Sequence, residues 1–330
     1  MTLRWRWVVA SVVCLWWVGF PVFGAEKLRV LIIDGQNNHN WVATTPVLKA
    51  ALEKCGRFTV DVSTTPPAPP RAPTAPRGQL TAAQKAAHEK AMAAWKEKKA
   101  AVEKESAEQW KTWRPKFSDY AAVVSNYNGE LWPEPVCRAF EEYVRSGGGL
   151  VVFHAANNAF PQWPEWNLMI GLGWRGNTFG DRVTVDDNGN VVRTPKGEGP
   201  GAGHGPQHEY QVRIRDREHS ITQGLPEVWL HPKDELYQGQ RGPAKNMRIL
   251  ATAFASPEFR GTGAHEPMLW VIPYGKGRCF TTLLGHDEHS CRCIGFQTTL
   301  CRGAEWAATG RVTLPVPDNF PTAKEVRLAE

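Results

Sequence analysis

Short apolar runs that each end in a polar loop constrain this chain more than any other feature. Leu28 to Ile33, Tyr120 to Ser125 and Leu150 to Phe153 are β-branched or apolar apart from Arg29 and Ser125. Such runs suit strands buried on both faces rather than strands with one wet face. Helical patterns separate them. Thr44-Thr45-Pro46 opens one, with threonine as cap and proline in the first turn, and Val47, Leu48, Ala51 and Leu52 continue it. Glu134 to Ser146 forms another and stops at Gly147-Gly148-Gly149, and Phe296 to Ala308 closes the series. Further strands are expected at Phe58 to Val62, Glu209 to Arg215 and Ile249 to Phe254. Hairpins are expected at Arg182 to Arg193 and between Met268 to Pro273 and Arg278 to Leu284. The alternation predicts an α/β fold with a mainly parallel sheet and β-hairpin excursions.

The amino terminus departs from this pattern. Arg4 and Arg6 precede an apolar run from Trp7 to Phe20, and Val22-Phe23-Gly24 supplies small residues before Ala25. This predicts a signal peptide over 1–24, export to the periplasm or the exterior, and no stable membrane span after cleavage, with an uncleaved anchor as the alternative. Its loss removes two arginines and no acids, so the net charge of +6 falls to about +4, too mild for a nucleic-acid partner. Of seven cysteines one lies in this segment; the other six permit disulfides without choosing a pairing. Cys291-Arg292-Cys293 lacks the second ligand pair of a structural zinc site.

Residues 25–330 read as a single domain carrying an insertion at 66–114. Proline dominates from Pro66 to Pro76, giving an extended linker, and Leu80 to Trp113 is rich in Ala, Lys and Glu without interior Gly or Pro, giving a long helix. Met92, Trp95, Val102 and Trp110 could dock it only weakly, so a solvated helix is expected. Gly171 to Gly176 fits a dinucleotide fingerprint in spacing, but it follows a helix-like segment rather than a strand, which excludes a nicotinamide cofactor.

Chemistry-bearing residues gather where strands meet loops: His39, His154, His208 and His286, with Glu235 beside a turn. Imidazoles with one carboxylate suit a divalent transition metal such as zinc, manganese or iron, and they also serve as bases. Taken singly, each histidine reads more readily as a hydrogen-bonded side chain than as a ligand. Their common end of the fold is the argument for a site, because loops converge at the carboxyl ends of strands in open α/β sheets. His88, His231 and His265 read as surface residues and His219 as a turn-orienting one. No Gly-x-Ser-x-Gly elbow exists, and no cysteine follows a strand in a nucleophile's position.

Seven ordered motifs carry a resemblance. They are Asn38-His39-Asn40-Trp41, Asn126-Tyr127-Asn128-Gly129, Gly147 to Ala156 around His154, His208-Glu209-Tyr210, Asp216-x-x-His219-x-Ile221, Asp234-Glu235-Leu236-Tyr237, and Gly275-Lys276-Gly277 with Gly285-His286. Together they resemble the ThuA-like, trehalose-utilisation family over about residues 27–315, without the insertion. The resemblance implies a class I glutamine amidotransferase-like fold, a flavodoxin-like three-layer sandwich. It places His154 at the elbow where an amidotransferase carries cysteine, so glutamine hydrolysis is not expected.

What the resemblance implies instead is an exported carbohydrate-active protein acting on 3-keto-glycosides or related sugars by metal-assisted elimination, hydrolysis or isomerisation. The alternative is a non-catalytic carbohydrate-binding or scaffold protein on the same fold. In the first reading His154, His286 and Glu235 are catalytic and His39, His154, His208 and His286 hold the metal. Trp41, Asn126, Tyr127, Asn128, Asn157 and Tyr237 contact the sugar, with Trp163 and Trp166 as further candidate faces for ring packing. The sequence leaves the oligomeric state open.

Overall fold

A computed structural model describes residues 1–2, 26–76 and 78–330. The expected signal peptide falls almost wholly outside these residues. Within them no helix is long and apolar enough to cross a membrane.

The chain begins with β1 (Leu28–Asp34), α1 (Trp41–Lys54), β2 (Phe58–Thr64), α2 (Ala82–Thr112), β3 (Ala122–Ser125), α3 (Glu134–Arg145) and β4 (Gly149–Phe153). It continues with α4 (Pro164–Ile170), β5 (Asp181–Val185), β6 (Val191–Thr194), β7 (Gly203–His204), β8 (His208–Ile214), β9 (Val228–Asp234), β10 (Tyr237–Gln238) and β11 (Arg241–Gly242). It ends with β12 (Arg248–Phe254), β13 (His265–Tyr274), β14 (Gly277–Thr282), α5 (Glu288–Cys291) and α6 (Ile294–Thr309).

The main sheet runs β2-β1-β3-β4-β14-β13-β12-β8-β9. From β2 to β14 every pairing is parallel, and from β14 to β9 every pairing is antiparallel. The sheet is therefore mixed, and the expectation of a mainly parallel sheet holds for only one half. The reason lies in the connections: β13 returns to β14 through a two-residue turn, which permits only an antiparallel neighbour.

Helices cover both faces. Phe280 on β14 meets α6 at Gly303, where an added Cβ would come within 2.1 Å of the ring. Trp270 and Ile272 flank Val271, the register partner of Phe280, and so point to the opposite face. There Trp270 Nε1 donates to the carbonyl of Ile170 at the end of α4 (2.8 Å). Between the layers lies a core that includes Val30, Ile32, Val124, Val151, Phe280 and Phe296, all fully buried.

Two local expectations need correction, and the open reading of the cysteines is narrowed. α1 starts at Trp41 rather than near Thr44, because the Asn40 side chain accepts a hydrogen bond from the Ala43 amide and caps the helix one turn earlier; Pro46 then lies inside it. The inserted α2 is mostly exposed, yet its carboxyl end is docked. Trp113 Nε1 donates to Ser63 Oγ (3.1 Å), and the Trp113 ring packs edge-on against Trp110 and Trp132 at centroid distances of 5.3 and 5.5 Å. The six described cysteines outside the amino-terminal segment are all free thiols, and Cys291 and Cys293 are packing residues with no exposure.

Candidate functional site

Three strands of the parallel half deliver a histidine to the same edge of the sheet. β1 ends in the loop carrying His39, β4 runs directly into His154, and β14 leads through Leu283 to Gly285 into His286. From the antiparallel half, the segment after β9 brings Glu235 over these three. One nitrogen from each of His39, His154 and His286 and one oxygen of Glu235 lie within 4.8 Å of one another.

His154 is held in an unusual backbone state. Its φ is +42°, a left-handed conformation that costs a non-glycine residue of order 1–3 kcal/mol and persists only where the surroundings impose it. The imposed orientation is specific. His154 Nδ1 lies 2.6 Å from the Leu283 carbonyl, and since a carbonyl only accepts, Nδ1 carries the proton. That leaves Nε2 as a lone pair. It is buried, has no hydrogen-bond partner and faces Glu235 Oε2 at 3.8 Å.

Glu235 is the centre of the group. Its Oε2 lies 3.0 Å from His286 Nδ1, 3.6 Å from His39 Nε2 and 3.8 Å from His154 Nε2, while Oε1 lies 3.5 Å from His204 Nε2. His286 Nδ1 is close to the carboxylate but not aligned for a hydrogen bond, and it too is buried without a partner. Burial by itself raises the Glu235 pKa; the contacts with His154, His286 and His39 outweigh it and hold the carboxyl well below the usual carboxylate range. Burial lowers the pKa of His39, whereas for His286 the same penalty is outweighed by Glu235 and the imidazole is raised.

These donors fit a divalent metal. Ligands about 2.0–2.2 Å from one ion stand roughly 3–4 Å apart, the range of the contacts around Glu235 Oε2. The donor set of three imidazoles and a carboxylate suits zinc, manganese or iron, and the unpartnered Nε2 of His154 is the buried acceptor that such an ion would satisfy.

Asp234 positions the group without joining it. Its carboxylate accepts from the backbone amides of Gly285 (2.8 Å), His286 (3.0 Å) and Glu235 (2.8 Å), and it lies 2.7 Å from His231 Nε2. Asp234 thus ties the loop after β14 to the end of β9. Gly285 has φ +98°, and a Cβ there would come 2.7 Å from the Phe153 ring, so only glycine lets the chain bend under His286.

A cavity of about 420 Å³ opens beside this group. Asn38, Asn40, Asn158, Trp174, His204 and Tyr237 complete its lining. The Tyr237 ring packs on His154 and Trp174 at centroid distances of 4.3 and 4.6 Å, which gives the cavity an aromatic wall.

The remaining candidates divide. His208 does not join the group: its ring stacks on Phe259 at 3.9 Å and its Nδ1 meets the Pro206 carbonyl. His204, four residues earlier, faces the carboxylate instead, because β7 pairs with β10 and thereby sets His204 opposite Tyr237. Tyr127 is fully buried and its hydroxyl donates to the Glu130 carbonyl, so it offers no face to a sugar. Trp163 and Trp166 are buried in an aromatic cluster with Trp132 and Phe160, and are not platforms either.

Asn126 is also structural. Its Nδ2 donates to Thr44 and Thr45, and its Oδ1 accepts from Asn37. Asn128 braces the rim by donating to Asn38 and to the Ala155 carbonyl. Asn157 is fully buried, donating to Gln240 (2.8 Å). Trp41 lines a neighbouring cavity rather than this one. His231, expected at the surface, is fully buried against Asp234, and His265 belongs to β13. His219 accepts from the Ile221 amide and orients its turn.

Sequence reasoning passed over Trp174, His204 and the role of Asp234. The Asp234-Glu235 pair could have raised the last, since the first of two adjacent carboxylates at a strand end is often turned into the fold.

The family ThuA, described as trehalose utilisation, matches residues 74–307. A ThuA-like protein of Parabacteroides merdae is 39% identical, with a TM-score of 0.77, over 92% of this chain and 98% of that one. A second, from Bacteroides uniformis, is 17% identical with a TM-score of 0.51 over 89% and 97% of the two chains, and shares the fold alone. None of the curated proteins compared matches. On the extent of the family match and the likeness to the Parabacteroides protein, this chain belongs to the ThuA, or trehalose-utilisation, family.

Proposed function

We propose that this protein is an exported, metal-dependent enzyme that processes an oxidised carbohydrate, with elimination from a 3-keto-glycoside as its reaction. One observation carries the reading: His39, His154, Glu235 and His286 converge at a cavity while His154 Nε2 is buried with no partner. A buried acceptor left open costs about 1–3 kcal/mol, a cost that a bound cation removes. The order β2-β1-β3-β4-β14 supports the flavodoxin-like part of the same proposal. It is the doubly wound order 2-1-3-4-5, whose switch point between β1 and β3 lies beside the loop of His39. Export rests on residues 1–24 of the sequence alone.

A bound divalent metal would supply Lewis acidity toward the 3-keto oxygen and its neighbouring hydroxyl. The side chains supply the rest. A ketone at C3 acidifies the proton on C2, and His204 Nε2, whose ring is held by Nδ1 on the Gly205 carbonyl, stands at the cavity mouth as the base. As that proton leaves, the C2–H pair becomes the C1–C2 double bond. The C1–O bond breaks with its pair on the departing oxygen, which then takes up a proton. Trp174 and Tyr237 pack against the ring and shield it from water.

Elemental analysis and a chromogenic 3-keto-glycoside test this together. The expected result is about one divalent metal per chain, metal loss in His154→Ala, and release of the chromophore only by the metal-loaded wild type. Metal without turnover would leave the protein as a carbohydrate binder, and absence of metal from both proteins would overturn the reading.

A further inference from the structure

Of the six described cysteines outside the amino-terminal segment, five are buried and Cys55 alone is half-buried. It sits just past the end of α1, where its amide donates to the Ala51 carbonyl (3.3 Å) and its Sγ to the Leu52 carbonyl (3.0 Å). The Ala51 carbonyl also accepts from Cys301 Sγ of α6 (3.4 Å), although the two cysteines stand far apart in the sequence. Both residues line one cavity of about 430 Å³ between α1, α6 and the carboxyl-terminal tail. Within it their thiols lie in hydrogen-bonding contact with each other.

A second link fixes the same register. Arg57 Nε, just beyond Cys55, donates to Glu305 Oε1 (3.0 Å), and Glu305 lies one helical turn after Cys301 on the same face of α6. The turn from α1 to β2 is thus held against α6 at two successive points. The approach of the two thiols follows from how these elements pack.

The other thiols are sealed in the fold. Cys137 Sγ donates to the Trp132 carbonyl and Cys291 Sγ to the Gly285 carbonyl, while Cys279 and Cys293 pack in the core. Burial pushes the Cys137 thiol up to about 12 and raises that of Cys291 as well. Cys55 shifts the other way: contact with Cys301 lowers its thiol to about 7 against the effect of burial, whereas contact with Cys55 and burial push Cys301 up. Since the thiolate is the form that attacks a disulfide, Cys55 is the attacking member and Cys301 the member that keeps its proton.

We propose that Cys55 and Cys301 are a redox-responsive pair that closes into a disulfide when the protein meets an external disulfide, clamping α1 to α6. The Cys55 thiolate attacks one sulfur of that oxidant, forming a mixed disulfide and releasing the other sulfur as a thiol that takes the Cys55 proton. Cys301 then gives up its proton and attacks Cys55 Sγ, and the second thiol of the oxidant departs carrying that proton. Two protein thiols are oxidised and one disulfide is reduced to two thiols. Oxidising compartments outside the cytosol supply such disulfides. The bond joins residues far apart in the chain, the case in which a cross-link restricts the unfolded state most. Because α1 follows the loop of His39, and α6 follows that of His286 through α5, the clamp holds the two helices behind those histidines. None of this depends on the carbohydrate reading.

Incubation of the reduced full chain with oxidised glutathione, followed by peptide mapping and thermal unfolding, tests it. The expected product joins the peptides of Cys55 and Cys301 and melts several degrees above the reduced chain, and dithiothreitol reverses both changes. Cys301→Ser should stop at glutathione held on Cys55, and Cys55→Ser should leave Cys301 unmodified. Cys55 is half-buried, so its replacement keeps the test usable if the Cys301 variant misfolds. Free thiols at both positions in the treated wild type, a cross-link between other cysteines, or a cross-linked chain with an unchanged melting temperature overturns the proposal.

Discussion

The two halves of the sheet contribute to the site by different means. The parallel half places His39, His154 and His286 at the ends of β1, β4 and β14, strands whose positions are fixed by ladders on both sides. The antiparallel half supplies Glu235 from the end of β9, while Tyr237 and His204 come from a separate two-stranded sheet, β10 with β7, that folds back over those ends. Strand ends in a parallel sheet are near one another by construction. The overlying segment is near only because Asp234 ties it down and because two residues of β10 pair with two of β7. The difference teaches that the imidazoles form a frame and the carboxylate a closure, and that the closure depends on fewer contacts.

Breaking the tie is the most severe way to test this. Asp234→Ala removes the acceptor for three backbone amides and leaves the buried His231 without its carboxylate partner. Burial alone would push the His231 imidazole down, but Cys293 and Asp234 outweigh it and hold it at about 9. Removing one partner of such a pair costs about 3–5 kcal/mol, and we expect a loss of that size in urea unfolding. If stability fell but metal content held, the closure would be independent of Asp234.

Next in size is the exchange of His204 and His208. His204→Ala should lower turnover about 100-fold with metal retained, as expected for loss of a proton-transfer group. His208→Ala should leave turnover within about twofold of the wild type, because its half-buried ring contacts Phe259 and the Pro206 carbonyl and not the site. The opposite ranking in steady-state rates would return the overlying segment to the register in which His208 faces the cavity.

The insertion separates the docked from the solvated part of α2. Trp113→Ala should cost about 1–3 kcal/mol and shift the melting temperature by several degrees, since it removes the ring packed on Trp132. Trp95 lies farther along the helix and donates only to the Pro70 carbonyl within the insertion. Its replacement by alanine should shift the melting temperature by less than about 2 °C. Equal shifts would mean that the whole helix is docked.

The smallest effect concerns a carboxylate of the frame. Glu305 on α6 accepts from Thr313, Leu314 and Arg57, so it is fully partnered, in contrast to the open acceptors around Glu235. Burial raises its pKa, but those donors outweigh it and the net shift is downward. A depressed folded-state pKa gives stability that is present above the unfolded value of about 4.5 and is lost as pH falls through the folded one. Glu305→Gln should therefore flatten the acid limb of unfolding below about pH 4.5, followed by circular dichroism, while leaving metal content unchanged.

How far the sequence could be read follows from the same division. The run Leu150 to Phe153 ending in His154 was legible because both the strand and its final polar residue are local features. His39 and His286 were legible for the same reason. Choosing His208 over His204 failed because both histidines lie in one glycine-rich stretch, and only the β7–β10 pairing decides which faces inward. Tyr127, Trp163 and Trp166 misled because an aromatic residue near a strand end has the same local signature in a core as at a binding surface.

The sequence by itself determined the parallel strands, the helices between them, the inserted helix and the three histidines at strand ends, since each is written in periodicity and punctuation over a few residues. Only the tertiary structure decided that half the sheet is antiparallel, that Glu235 closes over the histidines under the hold of Asp234, and that Trp41 faces a second cavity. Those facts depend on pairings between residues far apart in the chain, and the energy that selects one pairing over another is not expressed in any local stretch.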